Sequence, residues 1–117
     1  MTPTEMTELV RRWFAKVEQA MGPILPTGWF GRPYDNLYML KDVQVTGDVL
    51  TVHLSEDTVL VFEGLGRVYL ENSELVFDGF RTGSIRWKEY GGLEYREQTY
   101  DAGQVRLIPP VGTTVTL

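Results

Sequence analysis

The run Leu37-Tyr38-Met39-Leu40-Lys41-Asp42-Val43-Gln44-Val45-Thr46-Gly47-Asp48-Val49-Leu50-Thr51-Val52-His53-Leu54 sets the pattern for most of this chain. Leu50, Val52 and Leu54 alternate with Val49, Thr51 and His53, the period of two that a half-buried strand requires. Thr46-Gly47-Asp48 separates the two halves with residues that tolerate a tight turn. The same alternation predicts strands at Leu37 to Val45, Val49 to Leu54, Thr58 to Glu63 and Arg67 to Glu71. It continues at Glu74 to Asp78, Ser84 to Tyr90, Leu93 to Tyr100 and Gln104 to Ile108. The separators, such as Gly64-Leu65-Gly66, Asn72-Ser73 and Gly91-Gly92, are too short to hold crossover helices. Neighbouring strands are therefore expected to pair antiparallel in a meander. Pro109 and Pro110 end the last of them, because proline cannot donate to a ladder. The tail at 111–117 has strand composition, open either to an added edge strand or to a frayed end.

Towards the N-terminus the period changes. Met6, Leu9, Val10, Trp13, Phe14, Val17, Ala20 and Met21 recur at spacings of three and four, one apolar stripe of a helix. Thr2-Pro3-Thr4-Glu5 reads as its capping box, and Gly22-Pro23 as its stop, so the helix is expected over about 3–21. The polar face mixes Glu5, Glu8, Arg12 and Lys16, which disfavours a lipid surface and favours a helix that covers a sheet. The expected architecture is α+β. One N-terminal amphipathic helix packs on a strongly bent antiparallel meander of about 7–8 strands, a half-barrel or small barrel. With 117 residues, the chain is expected to form one domain over 1–117.

Composition excludes several classes. Eleven Lys and Arg against sixteen Asp and Glu leave a net charge of -5, the wrong sign for a nucleic-acid binder. No apolar run reaches the length of a membrane span, and Met1 to Glu5 carries no basic leader, so a cytoplasmic location is expected. The absence of cysteine removes thiolate metal sites and cysteine nucleophiles together. Ser55, Ser73 and Ser84 sit at turns or a strand start, and none lies in a nucleophile elbow. His53 is the single histidine, a strand residue with no visible companion ligand, so neither a metal nor another cofactor is expected. Gly64-Leu65-Gly66-Arg67-Val68-Tyr69 begins like a dinucleotide fingerprint, but Tyr69 replaces its third glycine and a strand follows. One carboxylate pair stands out: a two-residue Gly91-Gly92 hairpin would set Glu89 opposite Glu94. Such a pair is either a solvated hairpin tip or, inside a cleft, an acid–base couple for a hydrolase or isomerase, with Asp35 as a further carboxylate.

The most distinctive window is Gly28-Trp29-Phe30-Gly31-Arg32-Pro33-Tyr34-Asp35-Asn36, within a Gly/Pro connector expected over 22–36. It has two readings. In one, Trp29 and Phe30 plug an end of the half-barrel while Asp35 and Asn36 make local turn bonds. In the other, the window is a recognition rim. Trp29 and Tyr34 would offer stacking faces, Arg32 a bidentate fork, and Asp35 and Asn36 directional polar contacts. Trp87 and Tyr90, with Tyr95, form a second aromatic group that could join that rim. The expected role is a non-catalytic binding domain for a protein or small-molecule partner, not for nucleic acid or membrane. Self-association through edge strands of the tail is the third possibility.

Overall fold

A computed structural model describes residues 1–30, 37–88, 92–101 and 103–117. Helix α1 (Pro3–Val17) begins as its capping residues require. Thr2 Oγ1 accepts the Glu5 N–H at 3.1 Å, and the Glu5 carboxylate accepts the Thr2 N–H at 3.0 Å. These bonds to Thr2 hold the Glu5 carboxyl below its ordinary pKa. Met6, Val10, Trp13, Phe14 and Val17 are buried along one stripe.

The helix stops at Val17, short of the expected residue 21. Glu18 turns left-handed at φ 64° while its N–H still donates to the Phe14 carbonyl at 2.7 Å. Ala20 and Met21 instead open β1 (Ala20–Leu25), a strand that runs from the end of the expected helix into the expected Gly/Pro connector. An apolar run this short buries itself equally well in a sheet or on a helix, and periodicity cannot separate the two.

Among the described residues ten further strands follow: β2 (Gly28–Trp29), β3 (Leu37–Tyr38), β4 (Leu40–Thr46), β5 (Val49–Leu54), β6 (Thr58–Glu63), β7 (Arg67–Glu71), β8 (Glu74–Asp78), β9 (Thr82–Lys88), β10 (Tyr95–Tyr100) and β11 (Val105–Ile108). They form two antiparallel sheets. One has five strands in the order β10-β9-β6-β5-β4. The other has six, in the order β2-β1-β11-β8-β7 with β3 also beside β1. The α+β class and the antiparallel pairing agree with the sequence, whereas the strand count and the single meander bent into a half-barrel or small barrel are corrected: the strands divide between two sheets. Residues 111–117 add no strand; Val115 is buried and its N–H donates to Ser73 Oγ at 2.9 Å.

The meander breaks where the chain changes sheet. From β6 it crosses through Gly64-Leu65-Gly66 to β7, and from β8 it returns through Gly79-Phe80-Arg81 to lay β9 beside β6. The two crossings run against each other. The Arg81 N–H donates to the Glu63 carbonyl at 2.9 Å, and a Cβ on Gly66 would lie 2.5 Å from the Phe80 ring. Gly66 is thus required by the close approach of the second crossing, since any side chain there would meet the Phe80 ring. A further corner lies at Met39, between β3 in one sheet and β4 in the other. Its N–H donates to Ser55 Oγ and its carbonyl accepts the Ser55 N–H, both at 2.9 Å.

The sheets meet through Phe62 and Phe77, stacked with centroids 4.6 Å apart. Helix α1 lies against β4 of one sheet and β7 of the other. Trp13 Nε1 donates to the Ser73 carbonyl at 2.9 Å, and Arg11 Nη2 donates to the Val43 carbonyl at 3.0 Å.

Candidate functional site

Strand alternation gives the five-stranded sheet two unlike faces. Leu50, Val52, Leu54, Leu60, Phe62 and Ile85 turn inward to the core. The residues between them, Val49, Thr51 and His53 on β5 with Val59 and Val61 on β6, are half-buried on the outer face. The registers line that face up in rows. One row crosses all five strands as Asp42, His53, Val59, Arg86 and Glu97, and the next as Gln44, Thr51, Val61, Ser84 and Thr99.

The outer face forms an open trough of about 690 Å³ lined by Val49, Thr51, His53, Val59, Val61, Glu63, Arg86, Tyr95 and Glu97. Its floor is the valine pair of β6 beside Thr51. Along the β9–β10 side Arg86 is ion-paired with Glu97, and Lys88 stands over the Tyr95 ring at 4.9 Å. Tyr95 itself is 52% exposed. This is a mixed surface: small apolar groups at the centre, and acidic, basic and aromatic groups around them. An apolar cleft of about 50 Å³ between Met1, Met6, Leu50 and Phe80 is far smaller, and the space beside Tyr100 and Pro26, about 10 Å³, is roughly the size of one water.

The outer face of the six-stranded sheet is instead filled by its own side chains. Asp78 accepts from Arg67 at 3.0 Å, Gln104 at 3.2 Å, Tyr69 at 3.3 Å and the Gly79 N–H at 2.8 Å. The bond from Arg67 is the main reason its carboxyl lies below the ordinary range. Burial works against the Arg106 charge, but its bonds to Glu74 at 3.0 Å and Glu71 at 3.1 Å outweigh that and raise its pKa. Tyr69 and Arg106 are the register partners of Val76, which is fully buried although it points outward.

Of the residues singled out in the sequence, Arg32, Tyr34, Asp35, Asn36, Glu89 and Tyr90 lie outside the described residues. Trp29 is 38% exposed and pairs in register with Ile24, the partner of Arg106, so it shares the outer face of the six-stranded sheet. Phe30 takes the opposite direction and meets Trp87 edge to face at 5.0 Å. Trp29 and Trp87 are thus on different surfaces, and Phe30 is the described connector residue that reaches Trp87. The β9–β10 ladder runs as far as Lys88 opposite Tyr95, in the register that Gly91-Gly92 implies, and Glu94 is exposed just beyond it. Among the described residues, no group of three or more His, Asp and Glu side chains is placed to hold a metal ion.

The trough was not legible in the sequence because its Arg86, Tyr95 and Glu97 side depends on β6 pairing with β9, which is not its neighbour in sequence. One signal was available. Val59-Leu60-Val61-Phe62 is apolar on both faces of its strand, whereas a half-buried strand alternates. No helix of the described chain is long and apolar enough to cross a membrane. Comparison of the chain with protein-family models, with curated proteins and with solved structures gives no match.

Proposed function

We propose that this chain is a non-catalytic binding module that docks a protein partner on the outer face of its five-stranded sheet. The observation that carries the reading is the open trough of about 690 Å³ with valines at its centre and Glu63, Glu97, Arg86 and Tyr95 around them. A partner segment with a small apolar side chain flanked by cations suits that lining. The apolar group would cover Val59 and Val61, and the cations would face Glu63 and Asp42, in keeping with a chain of net charge -5. Carboxylate catalysis has less support, since Glu94 is exposed.

Site-specific photocrosslinking in the cells that make the protein tests this. A benzophenone side chain in place of Val61 is expected to trap a discrete protein adduct, and the same group in place of Tyr69 is not. Glu63→Lys combined with Asp42→Lys is expected to abolish the Val61 adduct while the far-ultraviolet spectrum stays unchanged. No adduct from position 61, or the same adducts from both positions, would overturn the reading.

A further inference from the structure

Most sheet edges among the described residues are covered or very short. Helix α1 lies along β4, where Arg11 takes up the Val43 carbonyl, and also against β7. β2 and β3 are two residues each. β10 differs: it has six residues and pairs with β9 alone. Tyr95, Arg96, Glu97, Gln98 and Thr99 are all exposed, including Arg96 and Gln98, whose register partners Trp87 and Ile85 are on the inner face. Among the described residues this edge has no neighbour on its far side, and its backbone can take another strand.

We propose that β10 pairs antiparallel with β10 of a second copy about a two-fold axis at Gln98, joining two five-stranded sheets into one continuous sheet. A two-fold axis that sets a strand antiparallel to its own copy stands perpendicular to the sheet, so facing residues are both odd or both even in number. Four such registers are centred on the interior residues of the strand, Arg96 to Thr99. Centring on Arg96 or Glu97 sets that charge against itself, and centring on Thr99 sets Glu97 against Asp101. Centring on Gln98 faces amide with amide, Glu97 with Thr99, Arg96 with Tyr100 and Tyr95 with Asp101, with no like charges opposed. Each Glu97 also has Arg86 of its own chain as a counter-ion. The two troughs would then lie on the same side of the joined sheet.

The chain has no cysteine, which makes the register directly testable. Residues opposed across antiparallel strands have Cα atoms about 4.5–5.5 Å apart, within disulfide reach. Mild oxidation is expected to crosslink Gln98→Cys into a dimer and to leave Thr99→Cys uncrosslinked. Sedimentation of the unmodified protein is expected to show a concentration-dependent monomer–dimer equilibrium, weakened several-fold by Gln98→Lys with the far-ultraviolet spectrum unchanged. A monomer at every soluble concentration, a dimer indifferent to Gln98→Lys, or equal crosslinking at both cysteines would overturn the proposal. The Val61 photocrosslink reads the partner surface separately, so each idea can fail without the other.

Discussion

The indole of Trp13, fully buried on α1, donates to the carbonyl oxygen of Ser73 in the β7–β8 turn at 2.9 Å. Ser73 also accepts the Val115 N–H on its hydroxyl, so helix, hairpin and C-terminal tail converge on one turn residue. Trp13→Phe keeps most of the apolar volume but leaves the Ser73 carbonyl unpaired. It is expected to cost about 1–3 kcal/mol, and Trp13→Ala, which adds a cavity, about 3–5 kcal/mol. Urea unfolding followed by circular dichroism measures both. Equal costs for the two variants would show that the hydrogen bond dominates over packing.

Gly66 is expected to reject even a methyl group. With the Phe80 ring 2.5 Å from where a Cβ would stand, Gly66→Ala forces the two sheet crossings apart. Overpacking of this kind costs about 1–3 kcal/mol. Gly47→Ala, where nothing lies within 4 Å, is strained through its positive φ alone and provides the comparison. A Gly66→Ala variant as stable as the parent would show that the crossings are loose.

Asp78 makes stability depend on acid. Its carboxyl lies below the ordinary carboxylate range because Arg67, Gln104 and Gly79 hydrogen-bond the charged form. A pKa depressed in the folded state contributes stability that is present above the unfolded value and is lost as pH falls through the folded one. Stability is therefore expected to decline below about pH 4. Asp78→Asn is expected to be less stable at neutral pH and to show a shallower decline. Thermal unfolding across pH 2–7 checks this, and an unchanged slope in the variant would place the acid sensitivity elsewhere.

Trp29 and Phe30 are neighbours in sequence with opposite roles. Phe30→Ala removes the edge-to-face contact with Trp87 and is expected to cost about 2 kcal/mol. It is also expected to shift tryptophan emission to the red as Trp87 gains water. Trp29→Ala, on the other sheet's outer face, is expected to cost less than about 1 kcal/mol. A larger loss from Trp29→Ala than from Phe30→Ala would reverse that assignment.

Much of this molecule is legible from local patterns. The capping box of Thr2 and Glu5, the stripe from Met6 to Val17 and the strands Val49–Leu54, Thr58–Glu63, Arg67–Glu71 and Glu74–Asp78 all follow from spacing and turn residues. Each depends on interactions within a few residues, where periodicity and capping chemistry are strong.

Three features required the tertiary structure. Ala20 and Met21 satisfy a helix and a strand equally, and the pairing of β1 with β11, from the far end of the chain, made them strand. The crossings at Gly64–Gly66 and Gly79–Arg81 brought β6 and β9 together and so built the trough. A turn tripeptide specifies that the chain reverses but not which sheet it enters. Among the described residues β10 is the edge left without a neighbour, while the opposite edge of the same sheet has α1 beside it. Which strands remain unpartnered is a property of the whole assembly, since it depends on where every other apolar surface has found cover.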